Sequence, residues 1–404
     1  GNQNRFDATV QDDFKKIPGS PVAYWISSNL RDAFESNPSI GSIAETRKGM
    51  ATGDNSRFVR SWPEISYGSI GFGMNRESAQ ASGKKWFPYA NGGDFRKWFG
   101  NIEDVVLWEN DGYVLQTELH ESGRIRAVNL NLEYIFKEGI TWTSITSSHF
   151  SSRHLPSGCL FSSAANSLFT SDGNIFAILG EMNSNVFSYL SKAINPTLNM
   201  NPGDTGKIPF PKNSEIGIKV ESVVRELINF SKKDWESMEQ SWNFSGLIWI
   251  MPLKDIDRIS DAWRFYSKKL DEDIKNFKSL EVKNNSIFIE TYGLQDELSP
   301  EVPESQITLT RADREKDCQR LISYAIGCMM GRYSLDAPGL IYAHAGNVGF
   351  GPSRYPSFPA DADGILPVTD QPWFADDAPT RIREFLHAVW GPDTLEENMA
   401  WLAE

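Results

Sequence analysis

The sequence predicts a mixed α/β (α+β) fold in which a strand-containing region precedes long helices, and three observations lead to this prediction. Short runs of β-forming residues alternate with turn signals through about residue 212. Apolar side chains then recur every three or four positions from Ile256 to Phe277, which indicates a single helix of at least 22 residues. The last part of the chain is rich in Gly and Pro, then acidic and helical.

Composition places the 404-residue chain among globular proteins of two or three domains. No apolar run reaches the roughly 18 residues that a membrane helix needs, and the polar N-terminus lacks a secretion signal. We therefore expect a cytoplasmic protein with no membrane partner. Its three cysteines form no C-x-x-C pair, so neither a disulfide framework nor a metal site is predicted.

Charge is distributed unevenly along the chain. The net charge is −13, which argues against unspecific binding to nucleic acid. Residues 47–97 nevertheless hold nine Lys and Arg against four Asp and Glu, a net of +5. Residues 351–404 hold three basic and ten acidic residues, a net of −7. The basic segment is a candidate surface for an anionic partner, and the acidic end is typical of a solvated surface.

Composition also suggests three regions. The prolines and glycines of residues 195–213 interrupt any helix, so we place a domain boundary at their end. The prediction is an α/β domain over residues 1–212, a helical spacer over 213–335, and a C-terminal region over 336–404 that starts a helical domain. Within the first region, "EDVVLWENDGYVLQTEL" indicates a hairpin at Asn-Asp-Gly, and "NIFAIL" indicates a strand.

No catalytic motif is complete. "NPGDTGKI" has the wrong spacing for a phosphate loop, and "SSHFSSRHLPSG" has hydroxyls and imidazoles without the G-x-S-x-G elbow of a serine nucleophile. Methyl transfer to adenine needs a flipped base and an Asp/Asn-Pro-Pro-Tyr/Phe loop, yet the chain has no Pro-Pro pair. We therefore predict no catalytic residue in this chain.

The remaining polar motifs are those of a recognition surface. Asn can bind adenine and Arg can bind guanine through two hydrogen bonds, whereas clustered lysines suit phosphates. The predicted base readers are Thr52, Asn55, Arg57, Ser147, Ser148, Arg153 and His154. The predicted phosphate contacts are Lys84, Lys85, Arg96 and Lys97, and Arg60 is a further candidate for binding nucleic acid.

Two alternatives stay open for these residues. Thr52 and Asn55 could simply hold the Thr-Gly-Asp-Asn turn, because such side chains often bond to their own backbone. The aromatic residues of "KWFPYANGGDFRKWFG" could belong to the core or to a carbohydrate-binding module, although the latter would not need so many cations.

Ten stretches in sequence order resemble one family. Among them are "KGMATGDNSRFVRSW", "KWFPYANGGDFRKWFGN", "FKEGITWTSITSSHFSSRHLPSG", "LNMNPGDTGKIPF" and "PSFPADADGILPVTDQPWFADD". The chain resembles the C-terminal half of PglX-type adenine-specific DNA methyltransferases of BREX phage-defence systems. "NPTLNMNPGDTGKIPFP" also resembles a segment of the target recognition domains of restriction–modification enzymes.

The resemblance implies a division of labour within a longer protein. The parent enzyme would transfer a methyl group from S-adenosylmethionine to adenine N6, and this chain would choose the DNA site. The catalytic domain and its cofactor are expected upstream, so the chain alone should bind no cofactor and be inactive. Expected partners are double-stranded DNA, the methyltransferase domain, other BREX subunits and phage proteins that mimic DNA. The alternatives are a protein-interaction scaffold of the defence complex or a carbohydrate-binding module.

Overall fold

The computed structural model describes residues 18, 27–145, 149–171, 175–195, 197, 199–211, 214–250, 256–344, 348–369, 371 and 373–403. They form two compact units. The first contains the described residues up to Ile65 together with Ser69–Lys232 and Asn276–Thr308. The second contains Ser66–Gly68, Lys233–Lys275 and the described residues from Leu309 onward. The boundaries expected at residues 212 and 335 stay predictions, and residue 212 lies outside the described residues.

Both helices and strands are present, so the predicted mixed α/β class is confirmed. The strands are β1 (Glu45–Arg47), β2 (Val59–Ser61), β3 (Trp86–Ala90), β4 (Asp104–Leu107), β5 (Gly139–Thr143), β6 (Ser152–Leu155), β7 (Leu160–Phe161) and β8 (Ala165–Phe169). The shorter helices are α1 (Ser28–Ser36), α2 (Asn55–Phe58), α3 (Arg76–Ala81), α4 (Glu109–Thr117), α5 (Ile175–Met182), α6 (Asn185–Ile194) and α7 (Pro202–Thr205). The later helices are α8 (Ser214–Glu236), α9 (Ile259–Tyr292), α10 (Arg314–Met329), α11 (Ala378–Trp390) and α12 (Leu395–Ala403).

The first unit contains two four-stranded sheets. One has the order β1-β8-β5-β6 and is antiparallel throughout. The other has the order β2-β4-β3-β7, with β7 parallel to β3. Both sheets contribute to the apolar core of this unit, with Trp142, Leu168 and Phe87 among their buried side chains. Burial of this apolar surface stabilises the unit.

The register of the second sheet determines which loops meet at its edge. Strands β2 and β3 both run antiparallel to β4, with Val59 opposite Val106 and Trp86 opposite Leu107. The starts of β2 and β3 and the end of β4 therefore lie at one end of this sheet, called here the reading end. The segments joined to these strand ends are α2, the Lys84–Lys85 pair and α4.

Two local predictions differ from the structure. The segment at Asn-Asp-Gly is not a hairpin, because β4 passes into helix α4 through three residues with left-handed backbone, Asn110, Asp111 and Gly112. Gly112 has a φ of +72°, and a Cβ there would lie 2.5 Å from the ring of Trp108. The "NIFAIL" segment belongs to helix α5 and not to a strand, and nearly all residues of that helix are buried. A fully buried helix lacks the pattern of apolar and polar residues that would distinguish it from a strand in the sequence.

The second unit is helical in its described part. Its core brings together Phe244, Tyr324, Tyr333, Phe385 and Trp390 with the aliphatic residues around them. Helix α9, whose residues up to Lys275 belong to the second unit and the rest to the first, confirms the long apolar stripe, although it begins at Ile259 instead of Ile256 and extends to 34 residues. Among the described residues, no helix combines the length and the hydrophobicity needed to cross a bilayer.

Candidate nucleic-acid interface

The Thr-Gly-Asp-Asn turn at the reading end is fixed by its own side chains. Buried Thr52 donates its hydroxyl to Oδ1 of Asn55 at 2.6 Å and accepts the Asp54 N–H at 3.2 Å. Asp54 Oδ1 caps α2 by accepting the Arg57 N–H at 3.2 Å and the Ser56 hydroxyl at 2.7 Å. The Ser56 hydrogen bond and the Arg57 N–H hold the pKa of Asp54 below its usual value.

The packing below this turn explains why residue 53 is a glycine. Gly53 has a φ of +73°, and a Cβ there would lie 2.5 Å from the carbonyl oxygen of Arg126. Only glycine fits such a left-handed residue in close contact with backbone. The result is a rigid turn that exposes Asn55, Ser56 and Arg57.

A shallow depression of about 610 Å³ lies beside the turn. Its lining offers amide, hydroxyl, guanidinium and carboxylate groups, from Asn55, Ser56, Val59, Arg60, Ser61, Glu64 and Asp104. Arg60 Nη1 donates to the carbonyl oxygens of Ser56 and Val59, the latter at 2.7 Å. Burial raises the pKa of the Asp104 carboxyl, although the Asn91 amide donates to it. The lining therefore contains both donors and acceptors, the kinds of group that can bond to base edges.

The structure places the two predicted phosphate contacts Lys84 and Lys85 at the reading end. The Lys85 side chain is exposed, and its Nζ lies 3.8 Å from Oε1 of Glu109. Lys84 is half-buried, and its N–H donates to the Ser82 hydroxyl at 3.1 Å. The exposed ammonium of Lys85 is of a kind suited to phosphate oxygens.

A β-hairpin at residues 118–126, called here the finger, was not predicted. Leu119 pairs with Ile125, and the Arg126 N–H donates to the Glu118 carbonyl at 2.9 Å. The Glu118 carboxylate binds Arg57 Nη1 at 2.6 Å and Arg126 Nε at 3.3 Å, so the finger is tied to the Asn55 turn. The turn-type "HESGR" between Leu119 and Ile125 is the sequence signal that could have revealed it.

Arg96 and Lys97 are interior residues. Arg96 donates to the carbonyls of Phe99 at 2.8 Å and Ser231 at 3.1 Å. Lys97 Nζ lies 3.2 Å from the buried carboxylate of Glu281. Because both basic side chains are at most 9 % exposed, the structure gives them packing roles in place of the phosphate contacts expected from the sequence.

Arg153 and His154 do not join the reading end either. Arg153 is buried and donates to the Arg96 carbonyl at 3.1 Å and to the Thr143 hydroxyl at 3.2 Å. Burial and the nearby Arg96 charge lower the pKa of Arg153 to about 10. His154 Nε2 lies 2.7 Å from Glu138 Oε1. Ser147 and Ser148 lie outside the described residues.

The structure thus brings Asn55, Arg57, Arg60, Lys84 and Lys85 to one end of a sheet, with Thr52 buried beneath the turn. In the described part of the chain, no cluster of three or more His, Cys, Asp or Glu side chains is arranged to hold a metal ion.

Comparison with known sequences finds relatives that are named adenine-specific methyltransferases. The relatives are PglX of Lacticaseibacillus casei (strain Zhang), 37% identical over 411 residues and 100% of this chain, and BrxX of Escherichia coli O9:H4 (strain HS), 37% identical over 425 residues and 99% of it. The chain spans only 34% and 33% of these two proteins. The chain is related over its whole length to PglX-type adenine-specific methyltransferases, and the resemblance found in the sequence is confirmed.

Comparisons with protein-family models and with solved structures add little to this assignment. No protein-family model matches the chain. The solved structure of the Type IIL restriction-modification enzyme MmeI in complex with DNA aligns with 67% of this chain and 34% of its own. Its TM-score is 0.36 at 10% identity, a likeness too low to support an argument about fold or function.

Proposed function

We propose that this chain selects the DNA sequence for an adenine-specific methyltransferase and that the methyl transfer takes place elsewhere in the longer protein. S-adenosylmethionine would bind outside this chain, and duplex DNA and the methyltransferase domain are its proposed partners. A role in BREX phage defence and a cytoplasmic location belong to the same proposal. The observation that carries it is the group of exposed hydrogen-bonding side chains at the reading end, in a chain whose relatives are adenine-specific methyltransferases.

The chemistry of the reading end supports recognition of base pairs. Asn55 and Arg57 are presented by a rigid turn, so little conformational entropy is lost when they bind. Arg60, Glu64 and Asp104 provide both donors and acceptors in the adjacent depression. A major-groove surface needs this combination because each base pair displays its own pattern of donors and acceptors.

DNA binding also requires basic side chains that neutralise phosphates, because DNA affinity depends largely on this neutralisation. Arg60, Lys84, Lys85 and Arg124 are the proposed phosphate contacts at or near the reading end. If each neutralises one phosphate, the plot of log K against log salt should have a slope of about −3.6.

Selection from a randomised duplex library by the 404-residue chain, followed by competition at several salt concentrations, tests the proposal. A preferred motif bound at least about 100-fold more tightly than random duplex is the expected result. A salt-independent affinity, or equal affinity for every duplex, would contradict it. An oligosaccharide panel in the same assay tests the carbohydrate alternative, for which we expect no binding.

Catalysis by the same chain is tested separately. Incubation with labelled S-adenosylmethionine and the selected duplex should leave the DNA unlabelled. Label on adenine would show that the chain contains a donor site, and the proposed separation of recognition from chemistry would be abandoned.

One observation favours the scaffold as a second candidate function. In the second unit, Ile365, Val368, Trp373 and Phe374 are exposed along an acidic segment, and the Trp373 side chain is 76% exposed. Exposed Trp residues are frequent anchors of protein–protein interfaces. Binding of another defence subunit, lost on Trp373→Ala while DNA selection is kept, would assign this segment to assembly.

A further inference from the structure

The finger exposes two apolar side chains that face neither core nor helix. Leu119 and Ile125 pair across the hairpin, and their side chains are 59% and 50% exposed. The five residues between them are exposed as well. An exposed apolar pair on a hairpin that is tied to the Asn55 turn is a candidate contact site.

The base of the finger is rigid. Ala51 and Val128 exchange two backbone hydrogen bonds, at 3.0 and 2.8 Å. The Asn129 amide donates to the Leu115 carbonyl at 2.8 Å. Since Arg57 and Arg126 both bind the Glu118 carboxylate, the finger and the Asn55 turn are held in one arrangement.

The dimensions and charges of the finger fit DNA. The three rises from Glu118 to Glu121, at about 3.4 Å each, extend for about 10 Å, more than the roughly 8.5 Å depth of the major groove. A two-stranded ribbon also fits the groove width of about 12 Å. Arg57 and Arg126 bind the one glutamate at the base, and Arg124 and Glu121 lie near the tip, so the finger together with Arg57 has a net charge of +1 and offers cations to the phosphates on either side.

We propose that the finger enters the major groove and that Leu119 and Ile125 contact the 5-methyl groups of thymines. This inference rests on the proposed function and names the element that reads part of the site. Apolar contact with the thymine methyl is a recognised form of readout, and that methyl is the apolar group that base pairs display in the major groove. A narrow hairpin tied to the Asn55 turn favours DNA over a protein partner, since protein interfaces are usually broad surfaces.

The test uses the complete 404-residue chain and the motif selected by it. Each thymine of the motif is replaced in turn by deoxyuridine, which lacks only the 5-methyl group. We expect at least one replacement to weaken binding by about fivefold or more for the unaltered chain. The double variant Leu119→Ser/Ile125→Ser should bind the thymine and deoxyuridine duplexes equally. Val348→Ser is the matched control, because Val348 is an exposed apolar residue of the second unit.

The outcomes are distinguishable. If the unaltered chain selects no motif, the proposed function fails and this inference fails with it. If it selects a motif but no deoxyuridine replacement changes affinity, only the role of the finger is overturned. If the double variant is folded and weakens all sequences equally, the finger contributes affinity without reading bases, which also overturns the inference.

Discussion

The ammonium of Lys97 lies 3.2 Å from Oε1 of Glu281, and both side chains are buried. Trp98 Nε1 donates to the same carboxylate oxygen at 2.7 Å. This group joins the basic segment of residues 85–100 to helix α9 inside the first unit. The cations of that segment therefore include residues with an interior partner as well as exposed residues such as Lys85.

A matched pair of lysines separates these two roles. Lys97→Met leaves the Glu281 carboxylate buried without its cation, so the free energy of unfolding should fall by about 3–5 kcal/mol. Lys85→Met removes an exposed charge and should change stability by no more than about 0.5 kcal/mol. Urea unfolding of the two variants measures the difference, and equal destabilisation would contradict it.

The same two variants should behave oppositely toward DNA. Lys85→Met is expected to weaken all sequences alike and to make the salt slope shallower by about one. Lys97→Met should leave the slope of log K against log salt unchanged, as measured on the folded part of the Lys97→Met sample. A shallower slope for Lys97→Met would return Lys97 to the list of phosphate contacts.

Arg153 provides a second test of burial against recognition. It is buried, and among the described residues it has no carboxylate partner and its Nε has no acceptor. Arg153→Met loses two hydrogen bonds but also removes a buried charge, so we expect a net loss of stability of about 1–2 kcal/mol. Library competition with folded Arg153→Met should return the unaltered motif. A relaxed preference at one position would show that Arg153 reads a base.

These residues show why the sequence predicted some features and not others. The turn at Asn55 was predictable because its bonds are local, from Thr52 to Asn55 and from Asp54 to Arg57. The partner of Lys97 is 184 residues away in the sequence, so no local pattern identifies it. Lys85 and Lys97 look alike in the sequence and differ only in the fold.

Secondary-structure elements were likewise predictable only where a local sequence pattern indicates them. Helix α9 was predictable because its apolar side chains repeat over many turns. Helix α5 is too short and too buried to show a period, and α4 begins at a turn signal that also starts hairpins. The finger escaped prediction because its strands contribute a single paired position, Leu119 with Ile125.

Thr52 should control recognition through Asn55. Thr52→Val keeps the shape of the buried side chain but removes the hydroxyl that donates to Asn55 Oδ1 at 2.6 Å. The Asn55 amide then loses its fixed orientation, so discrimination at the base that it contacts should fall by about 1–3 kcal/mol. Library competition should show Asn55→Ala relaxing the same position, and the double variant adding nothing further. If both variants only weaken every sequence equally, Thr52 and Asn55 merely hold the turn.

A buried carboxyl in the first unit predicts a pH dependence of stability. The Tyr292 hydroxyl lies 2.6 Å from Glu181 Oε1 and 2.8 Å from the Pro209 carbonyl oxygen. The Tyr292 hydroxyl has a single proton to donate, so the Glu181 carboxylate shares this donor with the Pro209 carbonyl oxygen. Burial raises the pKa of Glu181 to about 8, while the Tyr292 hydrogen bond lowers it in part.

The direction of the effect follows from the raised pKa of Glu181. Between the ordinary carboxyl pKa and about 8, the unfolded chain has released the proton that the folded chain still holds. Stability from Glu181 is therefore complete at acid pH and lost as the pH rises through this window, by about 1.4 kcal/mol per pH unit. Glu181→Gln stays neutral and can donate to Tyr292, so its free energy of unfolding should exceed that of the unaltered chain increasingly from pH 5 to 8. Urea unfolding at several pH values measures this difference, with Glu226→Gln on the exposed face of α8 as the control. A constant difference between Glu181→Gln and the unaltered chain across that range would mean that Glu181 is already ionised in the folded protein.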